Sequence, residues 1–304
     1  DFDKHITPYF KGKDIRKIDK PMLIDWQVKL FSKQVGGKKK RTISYTYAER
    51  IRVFLNTFFE WVFYKYEISN PLRAIKKPRR NQPKKSKEFL ELPEFPPLDE
   101  ASKDDILWNT IFCLFMHSGN RIGEIQAFSE SDYQYGGLTT SKTISKDDNG
   151  RSRVSPMPKN KKEYTKPLDD FIIQRLDKYI AWKRENGISD KFLFGGDNFM
   201  DKYYYESKLK YYIERAGIKK HISPHSFRYS YVSMLVDMDC TTKTVAEMIG
   251  DTEEVVMKTY SFLYTTKKVR TVDKLNNYLT QNLGTNAGTK ATNDRLSQPK
   301  VEGN

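Results

Sequence analysis

The sequence predicts a mainly α protein with a small antiparallel β-sheet, arranged as two domains. Three observations carry that expectation. Apolar residues recur at three- and four-residue spacing over several long stretches, the mark of helices that bury one face. Runs of β-forming residues broken by turn residues are confined to positions 132–168. A basic stretch that contains prolines and no acid divides the 304-residue chain, which is long enough for two ordinary domains.

In the first domain, residues 1–75, a helix is expected over Pro21 to Val35, with Met22, Trp26 and Phe31 among its apolar positions. Thr42 to Tyr66 is the strongest helical segment. Its stripe of Ile51, Phe54, Leu55, Phe58, Phe59 and Val62 reads as a core face rather than a stacking platform. Asn70-Pro71 stops it, because a residue before proline is pushed out of the helical region. Residues 76–92 form the interdomain linker. From Lys76 to Lys87 it holds seven basic residues in twelve, with Pro78 and Pro83, and cannot bury apolar area.

The second domain, residues 93–283, opens with a buried helix from Asp104 to Met116 that ends at Ser118-Gly119. A short helix follows from Arg121 to Phe128. The sheet is expected to turn at Gly136-Gly137, at Asp147 to Gly150 and at Asn160. Helices then resume over Leu168–Glu185, Lys202–Ala216, Pro224–Val236, Thr242–Ile249 and Thr252–Phe262, with a last one from about Thr266 to Leu283. Residues 284–304, rich in Gly, Asn, Thr and Ser, read as a flexible tail.

Charge narrows the function. The chain carries 54 Lys+Arg against 39 Asp+Glu, a net +15. Residues 1–90 hold 23 of those bases and 9 of the acids, so nearly all the excess lies in the first third. Basic runs there flank aromatic-rich helices, which favours a grip on nucleic acid over a merely solubilising surface. The candidate contacts are Lys38, Lys39, Lys40 and Arg41, and in the linker Lys76, Lys77, Arg79, Arg80, Lys84 and Lys85. Two cysteines, Cys113 and Cys240, exclude a disulfide framework or zinc knuckle. No stretch approaches the length of uncharged apolar sequence that a membrane helix needs, and no secretory signal pattern is present.

Four places hold side chains suited to chemistry. Ser223-Pro224 caps a helix whose first turn presents His225 and Arg228 on one face, which suits a phosphate oxyanion or a plain surface cap. His117-Ser118-Gly119-Asn120-Arg121-Ile122-Gly123-Glu124 drops through a glycine turn into a helix that carries Arg121 and Glu124. The pair suits either an anion site or a helix-end ion pair. Lys159 lies at the expected hairpin turn Pro158-Lys159-Asn160-Lys161. Tyr260 follows Ile249-Gly250-Asp251.

The order of these motifs resembles the tyrosine recombinase (phage-integrase) family. Gly-x-Arg-x-x-Glu, a hairpin Lys about 40 residues on, His-x-x-Arg, and Ile-Gly-x with a Tyr nine beyond x run from about residue 95 to 280. His5-Ile6-Thr7-Pro8-Tyr9-Phe10 and Asn70-Pro71-Leu72 extend the resemblance into the first domain, toward integrases of phages and integrative conjugative elements of Gram-positive bacteria. The resemblance implies a helical, SAM-like core-binding domain and a catalytic domain that close as a C-shaped clamp around DNA. It also implies site-specific strand exchange through a 3′-phosphotyrosine and a Holliday junction, without metal, ATP or other cofactor.

By residue, the resemblance implies that Arg121 and Arg228 clamp the scissile phosphate, neutralising charge that grows in the transition state. His225 assists at that phosphate, and Lys159 protonates the leaving 5′ oxygen. Tyr260 is the nucleophile, and Glu124 orients the arginine-bearing turn. Lys161 and Lys162 are alternatives to Lys159, and Tyr264 is an alternative to Tyr260. Asp251 departs from the family, which has His or Trp there. A carboxylate cannot donate to phosphate and would repel it, so Asp251 is expected to face Tyr260 or a basic side chain and help place the nucleophile.

The implied partners are double-stranded DNA at attachment or core sites and three further copies of the chain on two DNA sites. The free protein would be a monomer in the cytoplasm, moving to the nucleoid when DNA-bound, with an accessory excision factor as a possible partner and no membrane. Val269, Val272, Leu275 and Leu279 would dock on a neighbouring protomer or cap their own core. Asp1 falls near the end of the family's first core-binding helix, so an arm-binding domain is expected to lie outside this sequence, leaving core-site cleavage with little accessory-site control. The competing readings are a resolvase or topoisomerase-like relaxer with the same chemistry, and a DNA-binding regulator whose site has decayed.

Overall fold

Local capping explains where the helices begin. The computed structural model describes residues 2–36, 41–79, 87–156 and 163–283. The chain divides into two units, Asp1–Ser86 and Lys87–Asn304. Lys38, Lys39, Lys40, Arg80, Lys84, Lys85, Lys159, Lys161, Lys162 and the tail from Gly284 lie outside the described residues.

The first unit contains α1 (Phe2–His5), α2 (Thr7–Phe10), α3 (Lys20–Ser32), β1 (Gln34–Val35), β2 (Arg41–Thr42) and α4 (Tyr45–Tyr66). The Asp19 carboxylate caps α3 by accepting from the Met22 amide at 2.9 Å, and Ser44 Oγ caps α4 by accepting from Tyr47 at 3.2 Å. Both predicted helices are shorter than expected. Gln34 and Val35 pair antiparallel with Thr42 and Arg41 instead, a short ladder that neither periodicity nor capping announced. Along α4, Ile51, Leu55, Phe59 and Val62 are buried, but Phe54 is 57% exposed. The stripe follows one edge of the 3–4 spacing, and Phe54 falls on the other, facing solvent. The buried Arg52 ties the unit together. Its guanidinium donates to Gln27 Oε1 at 2.7 Å and to the Ile75 carbonyl at 2.6 Å, anchoring the chain where the basic linker begins.

The second unit begins with α5 (Pro96–Ser102), which the sequence reading missed because two prolines open it. Next come α6 (Ile106–Ser118) and α7 (Ile122–Ala127). The strands β3 (Tyr133–Gln134), β4 (Gly137–Thr140) and β7 (Tyr164–Pro167) form one antiparallel sheet in the order β3-β4-β7. Between β4 and β7 in sequence, β5 (Lys142–Lys146) and β6 (Ser152–Pro156) form a separate hairpin. The turns at Gly136 and at Asp147–Gly150 fall where expected, and Asp147 Oδ1 closes the latter by accepting from the Asn149 and Arg151 amides. The Asn160 turn is outside the described residues.

Helices α8 (Asp170–Glu185), α9 (Lys202–Arg215), α10 (Pro224–Asp237) and α11 (Thr242–Ile249) follow. The last, α12, runs unbroken over Glu253–Leu283, where two helices were expected. The β-branched Thr265 costs only tenths of a kcal/mol in a helix, too little to break one that is anchored elsewhere. The anchor is Lys267, whose ammonium donates to the Val236 carbonyl and pairs with Asp239 at 2.7 Å. The hydrophobic core is built around α6, with Trp108, Phe112 and Phe115 packed against α8, α9 and α10. A second cluster, including Val232, Val245, Ile249, Val256 and Tyr260, holds α10, α11 and α12 together. Among the described residues, no helix is long and apolar enough to cross a membrane.

Candidate active site

Two glycine turns bring the site together. Gly119 ends α6 with φ +60°, and Gly250 ends α11 with φ +62°. A Cβ at Gly119 would sit 2.5 Å from the Tyr231 ring, and one at Gly250 would sit 2.2 Å from the Tyr164 ring. Only glycine takes that conformation at that separation without strain. Arg121 follows the first turn and Asp251 follows the second.

Arg121 stands at the start of α7, where the Glu124 side chain accepts from it. The buried Glu124 carboxylate accepts from the Arg121 amide at 2.9 Å, from Arg121 Nη1 at 3.0 Å and from Asn120 Nδ2 at 3.0 Å. Glu124 therefore fixes the direction in which the arginine points. The other end of the Arg121 guanidinium reaches Asp251 Oδ2 at 2.5 Å. Burial opposes the Arg121 charge, but the Glu124 and Asp251 carboxylates prevail and raise its pKa.

Arg228 projects from the first turns of α10 and is 1% exposed. It donates to the Gly119 carbonyl at 2.7 Å, to the Ile249 carbonyl at 2.7 Å and to Asp251 Oδ2 at 2.6 Å. One carboxylate oxygen thus bridges both guanidiniums. Of the two orientations expected for Asp251, the structure has it on basic side chains.

Tyr260 lies on α12, 2% exposed, with its ring 5.0 Å from that of Tyr229. Burial raises its pKa, while the charge of Arg228 and a hydrogen bond with it act in the opposite sense. Tyr264, one helical turn on, packs in the cluster near Cys240. Its buried hydroxyl has no hydrogen-bond partner among the described residues. His225 keeps part of its surface in solvent at the start of α10. Even so, the protein around it, together with Arg228, Arg121 and Lys87, holds its imidazole below the usual histidine range.

The structure therefore gathers Arg121, Glu124, His225, Arg228, Asp251 and Tyr260 around one point. Of the candidate DNA contacts, Arg41, Lys76, Lys77 and Arg79 are described and exposed, and Lys77 pairs with Glu49 at 2.8 Å. Sequence reasoning missed three neighbours of the site. Lys87 stands over the Tyr229 ring at 4.2 Å. Tyr164 and Lys166, on β7, lie beneath the two turns, where the Lys166 ammonium hydrogen-bonds the Ser118 carbonyl. The only signal for Lys166 was its alternation along a strand, which a lysine seldom satisfies on the buried side. Among the described residues, no cluster of three or more His, Cys, Asp or Glu is arranged to hold a metal ion.

Chemically, two guanidiniums that share an anion, a nearby imidazole and a tyrosine hydroxyl form a centre for attack on a phosphodiester. The pattern of the phage integrase family matches residues 86–265. A tyrosine recombinase of Thermosipho africanus is 26% identical over 290 residues, covering 90% of each chain. The ICEBs1 integrase of Bacillus subtilis is 24% identical over 300 residues, covering 91% of this chain and 76% of its own. The fold is similar to that of the Tn1549 transposon integrase in complex with transposon right-end DNA, with a TM-score of 0.66 at 14% identity over 81% of this chain and 82% of that one. The family pattern spans more than half of the sequence, so this chain belongs to the phage integrase family, the tyrosine recombinases that break and rejoin DNA.

Proposed function

We propose that this chain is the integrase of a mobile element, recombining attachment-site DNA with Tyr260 as its nucleophile. The Tyr260 hydroxyl gives up its proton to the surroundings as its oxygen attacks the scissile phosphorus, and the bond from phosphorus to the 5′ oxygen breaks. The leaving oxygen takes a proton and departs as a 5′ hydroxyl, leaving a 3′-phosphotyrosine. No high-energy cofactor is consumed, because the covalent link conserves the phosphodiester for rejoining. Arg121 and Arg228 neutralise the non-bridging oxygens as charge accumulates. His225, largely neutral near pH 7, donates a hydrogen bond to the phosphate, and Lys159 is the proposed donor to the leaving oxygen. Glu124 keeps Arg121 aimed.

The observation that carries this reading is the shared node: Arg121 and Arg228 meet at one oxygen of Asp251, and Tyr260 is buried close enough to Arg228 for that charge to act on its hydroxyl. With the nucleophile beside the anion fork, the step that remains is displacement of the Asp251 carboxylate by the phosphate. The basic residues of the first unit and linker would neutralise flanking phosphates, making binding steeply salt-dependent. Strand exchange would use four copies on two DNA sites, in the cytoplasm, with an accessory factor biasing excision. Val269, Val272, Leu275 and Leu279 are all more than a third exposed on α12, which supports docking on a neighbouring copy rather than on their own core.

The test is incubation with nicked core-site DNA followed by a denaturing gel. The parent should form a covalent protein–DNA adduct. Tyr260→Phe should form none while still retarding the DNA, and Tyr264→Phe should behave as the parent. An adduct that survives in Tyr260→Phe and disappears in Tyr264→Phe would reassign the nucleophile.

A further inference from the structure

We propose that Lys166 is a positioning residue for this site, a buried ammonium that clips the Arg121-bearing turn to the Asp251-bearing turn. The proposal rests on the reading of Arg121, Arg228 and Tyr260 as the phosphate-cleaving centre.

Lys166 is on β7, opposite Leu138 of β4, and is 2% exposed. Its Nζ donates to the Ser118 carbonyl and, at 3.3 Å, to the Met248 carbonyl. Ser118 precedes the Gly119 turn, and Met248 precedes the Gly250 turn. Arg228 makes a parallel link one residue further along each segment, to the Gly119 and Ile249 carbonyls. Two cations thus span the same gap, and only Arg228 also reaches the reacting groups. Lys166 lies beneath, between the rings of Tyr164 and Tyr231, each centred 5.8 Å from Nζ.

This lysine has a function to match its cost. An unpaired ammonium out of water is expensive unless its protons are accepted. The sheet position would hold an apolar side chain more cheaply, so the retained charge must do something. Two backbone carbonyls at the C-terminal ends of α6 and α11 are natural acceptors, since helix ends leave carbonyls unpaired and carry partial negative charge. Joining them sets the separation between Arg121 and Asp251, and hence the width of the fork that receives phosphate. Small errors in such a separation are costly in rate.

The groups facing Nζ are Arg228 and Tyr231 of α10, Arg121 and Glu124 of the α7 turn, and Tyr164 of β7 itself. Burial, then Arg228, with Arg121 adding and Glu124 opposing, pulls the Lys166 pKa down to about 7. Above neutrality the site therefore holds the neutral amine, which keeps two N–H groups for the two carbonyls but donates without the help of a charge.

The experiment measures single-turnover adduct formation on nicked core-site DNA by the parent and by Lys166→Met, between pH 6 and 8.5. Taking the ratio of the two rates cancels the titration of His225 and Tyr260. At pH 6 the parent should be faster by about tenfold, and the ratio should be smaller at pH 8.5, where the donors have lost their charge, with DNA affinity nearly equal. Lys166→Arg, charged throughout, should restore part of the rate at pH 8.5. A ratio of one at pH 6, or a ratio that does not change with pH, overturns the proposal. If Lys166→Met does not fold, amide exchange in the parent reads the same device: opening of the 118–121 and 248–251 turns returns Lys166 to water, where it takes up a proton above pH 7, so opening should become rarer from pH 7 to 8.5, and pH-independent opening overturns it. A parent that forms no adduct at any pH would instead sink the functional reading on which this proposal stands.

Discussion

Asp251→Asn is the most searching single substitution, because it keeps the shape of the side chain and removes its charge. Asp251 Oδ2 is shared by Arg121 at 2.5 Å and Arg228 at 2.6 Å, and its side chain is 5% exposed. Removing one partner of a buried pair costs about 3–5 kcal/mol when the other is left alone. Here Arg228 keeps its two carbonyl acceptors, Arg121 keeps Glu124, and the amide oxygen still accepts one bond. The expected loss is therefore about 2–3 kcal/mol, in line with hydrogen bonds to charged groups. At about 2–4 °C per kcal/mol for a unit of this size, the melting temperature should drop by roughly 4–12 °C.

The second half of that prediction concerns anions. The carboxylate occupies the fork, so phosphate or sulfate should stabilise the parent little. In Asp251→Asn the fork lacks its resident charge, and an anion at tenfold its dissociation constant should return about 1.4 kcal/mol. Urea unfolding of both proteins, with and without phosphate at constant ionic strength, measures this directly. Equal stability of the two proteins, or equal stabilisation by phosphate, would show that the carboxylate neither bridges nor blocks the arginines.

Three further outcomes follow from the same geometry. Glu124→Gln removes a buried carboxylate that accepts three donors, so adduct formation should fall at least about tenfold with DNA retardation unchanged; gel assays read both. Gly250→Ala places a methyl on the Tyr164 ring at φ +62° and should cost about 2 kcal/mol or more by urea unfolding, whereas Gly187→Ala, with open space around it, should cost only its backbone strain of about 1 kcal/mol. The Lys166 pKa is about 7 in the folded protein against 10.5 for the free side chain. The unfolded chain then binds more protons between those values, so stability rises with pH through that window and is lost as pH falls toward 7. The slope should be about 1 kcal/mol per pH unit, and Lys166→Met should flatten it between pH 7.5 and 9.

Much of the chain was legible because the deciding signals act over a few residues. The Ile51, Leu55, Phe59 and Val62 spacing marks α4, although its start was read at Thr42 and lies after Ser44. Ser223-Pro224 starts α10, where the Ser223 hydroxyl accepts from the Ser226 amide at 3.3 Å. Gly119 and Gly250 end helices because each must adopt positive φ. The continuity of α12 and the exposure of Phe54 were not legible, since both depend on what packs against the helix. The same holds for the division of the strands into a sheet and a hairpin, which pattern alone leaves open.

The identities and order of Arg121, Glu124, His225, Arg228 and Tyr260 belong to the sequence by itself, as do the basic bias of the first third and the helical framework. These follow from spacing, capping and charge, which are local properties of a polymer. The partner of Asp251 and the burial of Lys166 belong to the tertiary structure alone. Asp251 meets an arginine 130 residues away, and Lys166 is buried where the ends of α6 and α11 and the Tyr231 ring of α10 come together. No window of neighbouring residues records either event, because each exists only once distant segments have packed and the charges have been taken out of water.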